Sequence, residues 1–242
     1  MSYGYENEGF EVAAQSATAE RATFLRRTYS LLAGSLLALV ALEAFLLQTL
    51  TPNQVFGFLG KSPFGMLGLF LGFMAISWVA QTIAAQRVSQ ALQYFGLGLF
   101  IAMEALLLLP MFFYAEMTLG HEKMLGLTQS AGILSLCVFG GLSAAVITTG
   151  TDYSFLKTAI SMGSFLAIGL IICAILFNLS LGVWFSFAMV GLLSACILYQ
   201  TSEVMHRFPS DMYVAAALML FSSAVTLFYY IFRILMSFQS RD

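Results

Sequence analysis

Long apolar runs alternate with short polar breaks along almost the whole chain. Seven stretches stand out, near 28–50, 63–83, 91–114, 128–149, 157–178, 182–201 and 214–237. A helix needs roughly 20 mostly apolar residues to cross a bilayer, and each stretch meets or nearly meets that length. The runs are unbroken and lack the alternation of barrel strands, so the pattern predicts helices. The breaks carry turn chemistry: Thr51-Pro52-Asn53, Gly150-Thr151-Asp152, Asn178-Leu179-Ser180 and Phe208-Pro209-Ser210-Asp211. The expected fold is an all-α polytopic membrane protein with seven transmembrane helices and no sizeable soluble domain. Residues 1–23 read as a disordered N-terminal arm, polar and Ala/Ser-rich, with Glu6, Glu8, Glu11 and Glu20 and isolated Tyr3, Tyr5 and Phe10. Residues 24–242 then form the transmembrane domain. The arm has no basic segment before an apolar core, so it does not read as a signal peptide.

Two carboxylates interrupt this pattern. Glu43 sits inside Leu36–Leu50, LLALVALEAFLLQTL, and Glu104 inside Phe95–Pro110, FGLGLFIAMEALLLLP. An ionisable group at that depth is expensive and faces a bundle interior, a partner or a water path. Both expected spans run in the same direction, and at about 1.5 Å per residue the two depths differ by roughly 5 Å. The pair is therefore a candidate proton or cation site, set against a neutral acid making one interhelical hydrogen bond. Arg233, near the end of the last span, is a candidate ion-pair partner for either. It also has the length to snorkel to the interface.

Composition agrees with the pattern. Of 242 residues, 60% are hydrophobic and 9% charged, against about 25% charged in a soluble domain. The charges that remain suggest an orientation. With the N-terminus inside, Arg21, Arg26, Arg27, Arg87, Lys157 and Arg207 fall inside, and Lys61, Lys123, Arg233 and Arg241 outside. An odd number of spans then places Ser240-Arg241-Asp242 outside. Small residues such as Gly34, Gly68, Gly72, Gly132, Gly140, Gly141, Gly163 and Gly169 are expected where helices approach closely. Cys137, Cys173 and Cys196 lie in apolar runs without metal-binding spacing and read as small buried hydrophobes. His121 and His206, expected in loops, are the only histidines. No hydrolase elbow, zinc-protease motif or intramembrane aspartate pair is present, so no enzyme, cofactor, metal site or nucleic-acid partner is expected.

Three segments resemble the Bax inhibitor-1 (TMBIM) family: Phe24-Leu25-Arg26-Arg27-Thr28-Tyr29-Ser30-Leu31-Leu32; Ala91-Leu92-Gln93-Tyr94-Phe95-Gly96-Leu97-Gly98; and Ile197–His206 followed by Asp211–Leu218. The ending Ser240-Arg241-Asp242 is similar to the bacterial YccA-like branch. The resemblance implies six helices around a central seventh, with a cytoplasmic N-terminus. It also implies, in some members, a pH-sensitive calcium leak gated by two aspartates. The matching positions here are Gln200 and Ser223, and neither is ionisable. Glutamine can still hydrogen-bond serine. For the bacterial branch the resemblance implies a partner, the membrane-anchored AAA protease FtsH. The first functional reading is thus a modulator or binding subunit of such a protease in a bacterial inner membrane. The alternative is a pH-sensitive calcium or proton leak through intramembrane carboxylates.

Overall fold

The structure is a computed structural model and describes residues 5–59, 63–85, 90–209 and 211–239. Eight helices follow one another among the described residues: α1 (Tyr5–Thr49), α2 (Pro52–Leu59), α3 (Pro63–Ala85), α4 (Gln90–Leu119), α5 (His121–Thr149), α6 (Leu156–Leu176), α7 (Val183–His206) and α8 (Tyr213–Gln239). Six of them, α1 and α4 to α8, contain segments long and apolar enough to cross a membrane. In α3 the corresponding apolar segment is the shorter Phe70–Ala80. This is a multi-pass membrane protein.

The bundle is built around α8, which packs against α1, α3, α4, α5 and α7. Within its apolar window 72% of residues are buried, against 11% for α6. Small residues allow this position. Ala215, Ala216, Ala217 and Ala224 are buried among the neighbouring helices, together with Phe221, Leu227 and Phe232. Helix α1 lays one face on the bundle: Phe24, Thr28, Leu32, Ser35, Leu39 and Glu43 are its buried positions, spaced by three or four residues as a helical face requires.

Side-chain contacts fix the helix directions. Phe100 meets Phe221, and Phe112 meets Phe232, so α4 and α8 run parallel. The Tyr94 and Tyr213 hydroxyls are 3.0 Å apart, and Arg27 lies over the Tyr213 ring. The N-terminal halves of α1, α4 and α8 therefore gather at one end. Helix α3 runs the other way, with Phe73 against Phe100 and Ala80 against Gly96. So does α7, with Phe185 on Tyr230 and Gln200 on Ser223. Helix α5 parallels α7: Gly126 and Leu127 near its start share a cavity with Leu235 and Phe238 near the end of α8, and Ser143 further along meets Thr201.

Several expectations change. The arm expected to be disordered over 1–23 is helical from Tyr5 onward, where Ala, Glu and Gln, all good helix formers, carry α1 back from the span. Residues 1–4 lie outside the described residues, as do Lys61, Gln86, Arg87 and the ending Ser240-Arg241-Asp242. Helix α2 was not expected; the Thr51 backbone N–H and hydroxyl both donate to Gln54 at its first turn. His121 opens α5 and His206 ends α7, so neither is in a loop. The cysteines are not core residues: Cys137 and Cys173 are exposed and Cys196 is half-buried. Nor do most glycines mark close approaches. A Cβ at Gly34, Gly68, Gly72, Gly132, Gly140, Gly141 or Gly169 would meet nothing within 4 Å, whereas at Gly163 it would lie 2.8 Å from Leu192 Cδ1, where α6 crosses α7.

A buried polar site in the bundle

Glu43 closes the inward face of α1 and is 7% exposed; Glu104 lies on the inward face of α4 and is 2% exposed. Both Glu43 carboxyl oxygens, and Oε1 of Glu104, are buried without a hydrogen-bond partner among the described residues. The two carboxyls are thus not bonded to one another. Their levels also differ. Arg27 and Tyr94 both meet Tyr213. Counting along α1 and α4 from there, at about 1.5 Å per residue, places Glu43 roughly 9 Å beyond Glu104.

Arg233 pairs with neither carboxylate. Its Nη2 donates to the Leu181 carbonyl at 2.9 Å, in the α6–α7 connection, and its guanidinium lies 5.8 Å from the Tyr229 ring centroid. It ties the end of α8 to that loop. The Ser223 hydroxyl donates to Gln200 Oε1 at 2.7 Å, so α7 and α8 bring these two residues into direct contact. At the next residue of α7, Ser143 Oγ is 3.3 Å from Thr201 Oγ1.

The family model for the inhibitor of apoptosis-promoting Bax1 matches residues 21–240, nearly the whole chain. The chain belongs to the Bax inhibitor-1 family. It is also 37% identical, over 114 residues, to an uncharacterized protein of Pseudomonas aeruginosa. That match covers 47% of this chain and 51% of the relative, so the chain spans about half the length of the curated relative it matches.

The match to the Bax inhibitor-1 family starts at Arg21, a residue that reading the sequence weighed only as a charge. Arg21 clamps the C-terminus of α7. Its Nε donates to the Met205 carbonyl at 2.8 Å, Nη1 to Phe208 at 2.6 Å and Nη2 to Val204 at 2.6 Å. These are the carbonyls that a helix end leaves without intrahelical partners. Beside them, Asp152 Oδ1 accepts from the Ser154 backbone N–H and the Ser202 hydroxyl, and Arg207 Nη2 donates to Asp152 Oδ2 at 3.2 Å. The Ser154 backbone N–H first, and the Arg207 charge further, hold the Asp152 carboxyl below the usual carboxylate range. Thr28, Tyr29, Ser77 and Gln93 also escaped the sequence reading. Thr28, Ser77 and Gln93 each carry a buried polar atom without a partner among the described residues, and the Tyr29 hydroxyl faces Ser143 and Thr201. Gln93 had a visible signal: it lies eleven residues, three helical turns, before Glu104 on α4. Ser77 had none.

Proposed function

We propose that this protein passes protons or a small cation, calcium among the candidates, by way of Glu43 and Glu104. The observation that carries this reading is the set of unpartnered carboxyl oxygens on two deeply buried glutamates. A carboxyl in such surroundings is stable when neutral, or when water or a cation supplies the missing partner. The helices packed against α4 bring few other charges. They are Glu43, the Arg21, Arg26 and Arg27 cluster and, towards its start, Glu6, Glu8, Glu11 and Glu20 on α1, His121, Glu122 and Lys123 in the first turn of α5, and Arg233 on α8. The test is cation flux from proteoliposomes between acidic and neutral pH. Glu43→Gln and Glu104→Gln should each fold, because an amide and a protonated carboxyl share shape and hydrogen-bonding capacity. Each should flatten the pH profile. A parental profile in both variants removes the glutamates as the site.

Orientation and helix count belong to the same proposal. Helix α3 serves as a seventh crossing, giving six helices around α8. Two things support it. Helices α1 and α4 run parallel, so the chain must return between them, and α3 runs opposite to α4. The end bearing Arg21, Arg26, Arg27, Lys157 and Arg207 faces the cytoplasm of a bacterial inner membrane, and the C-terminus lies outside.

A second reading, a subunit that modulates a membrane-anchored AAA protease of the FtsH type as in the YccA-like branch, draws support from α1. At 45 residues the helix is about 68 Å long, more than twice the ~30 Å hydrocarbon core. The section before Ala19 therefore projects from the bundle and is a handle for a partner domain. Deleting residues 2–20 spares the Arg21 clamp. It should leave the unfolding temperature in detergent unchanged while protease copurification is lost. Retained copurification counts against this reading.

A further inference from the structure

The buried polar atoms without partners are not scattered. Among the described residues they belong to Thr28, Tyr29 and Glu43 on α1, Ser77 on α3, and Gln93 and Glu104 on α4; the Tyr29 hydroxyl is set apart from the rest, facing Ser143 and Thr201 on α5 and α7. The polar side chains between α5, α7 and α8 are satisfied by one another: Ser143 by Thr201, Ser223 by Gln200, Ser202 by Asp152. Lipid cannot hydrogen-bond an orphan atom, and a buried one costs of the order of 1–3 kcal/mol. Concentrating these costs on one side of the bundle calls for a physical cause.

The orphan groups are also in order. Thr28 lies next to Arg27, which meets Tyr213, and Gln93 lies next to Tyr94, which meets the same ring, so Thr28 and Gln93 share a level near the end that carries the N-terminus. Ser77 falls between Phe73, which is level with Phe100, and Ala80, which is level with Gly96. It therefore stands between Gln93 and Glu104. Glu104 follows one turn past Phe100, and Glu43 comes after it. At about 1.5 Å per residue the gaps from Gln93 to Ser77 to Glu104 are roughly 6 and 10 Å. Such gaps take a few waters at ~2.8 Å spacing. Thr28, Ser77, Gln93, Glu104 and Glu43 are all nine-tenths or more buried, so each polar group faces protein and not lipid.

We infer that a water-accessible entry route runs along α4, between the helices α1 and α3 that pack against it, open from the end that carries the N-terminus and leading by Thr28, Gln93 and Ser77 to Glu104. The α7–α8 seam, where Gln200 and Ser223 satisfy each other, is dry. Phe100, held by Phe73 and Phe221 at 6.0 Å each, is the constriction between Ser77 and Glu104. The inference extends the carboxylate reading by giving its site a route. Its test measures water access, so the two can fail separately.

A cysteine-free background (Cys137→Ala, Cys173→Ala, Cys196→Ala) takes Ser77→Cys and Thr28→Cys in turn. Trp78→Cys is the lipid-facing control, since Trp78 is 71% exposed, and Ser143→Cys is the control for the satisfied seam. Vesicles of both orientations are treated with methanethiosulfonate ethyltrimethylammonium, a membrane-impermeant cation. Ser77→Cys and Thr28→Cys should react at least tenfold faster than both controls, and only from the face that carries the N-terminus. Rates no higher than Trp78→Cys, or labelling from the opposite face alone, overturn the inference. The unsubstituted chain gives a second measurement. Radiolytic hydroxyl labelling should modify Leu97 and Phe100, beside the seam, more than the equally buried Leu227 and Phe232; equal labelling overturns it. Labelling without cation flux keeps the route and removes the transport reading.

Discussion

At the residue scale, the same polar groups have different consequences depending on whether protein completes their hydrogen bonds. Ser223 and Gln200 complete each other at 2.7 Å. Ser223→Ala strands the Gln200 carbonyl and should cost about 1 kcal/mol in a detergent unfolding assay. Pairing it with Gln200→Leu should cost less than the sum of the single changes, because the stranded group is gone. Carboxylates at the two positions behave differently. In Gln200→Asp with Ser223→Asp, two acids meet at hydrogen-bond distance and share a proton. That variant should acquire a pH-dependent flux or conformation that the parent lacks at this contact; an unchanged pH profile counts against a gating role for the pair. Asp152 sets a separate acid limit. Its carboxyl is held below its ordinary value by the Ser154 N–H and by Arg207. The sign follows from that direction: the contribution is complete above the unfolded value, near 3.8, and is lost as pH falls through the lower folded value. Unfolding temperature measured from pH 5 downward should therefore fall less steeply in Asp152→Asn than in the parent.

At the element scale, α7 depends on a residue more than 180 positions earlier. The three bonds from Arg21 to Val204, Met205 and Phe208 fit the planar fork of a guanidinium. Arg21→Ala should cost about 2 kcal/mol, and Arg21→Lys should recover less than half of that, since one ammonium cannot reach all three carbonyls. Full recovery by lysine would mean that charge alone matters. This clamp was illegible in the sequence, where nothing links Arg21 to a helix end so far along the chain. The six long helices α1 and α4 to α8 were legible, because each carries about 20 apolar residues to bury in lipid. Their ends were less so. Helices α4 and α5 run on to Leu119 and back to His121, separated by Gly120 at φ 86, because polar residues at an interface continue a helix that hydropathy stops recording. Glu43 and Glu104 were legible as outliers in apolar runs. Ser77, one serine among several in helices, becomes distinctive only when its hydroxyl is found without a partner.

At the scale of the whole molecule, apolarity and burial part company. The α6 span is the most apolar and yet only 11% of its window is buried, while α8 is less apolar and 72% buried. Lipid selects for hydrophobic side chains; a helix enclosed by other helices needs small and shape-matched ones instead. Enclosing α8 also constrains topology. Since α1, α4 and α8 all start at one end, an odd number of crossings must lie between each and the next. Between α4 and α8, helices α5, α6 and α7 link the two ends. Between α1 and α4 the proposed return is α3, whose 23 residues reach about 35 Å. Reporter fusions at residue 1, in the 86–89 connection and after Asp242 test this. The first two should report the cytoplasm and the third the opposite side. If α3 merely dips into the membrane and re-emerges, every later segment changes face. The termini would then share a compartment, and that outcome removes the proposed seventh crossing.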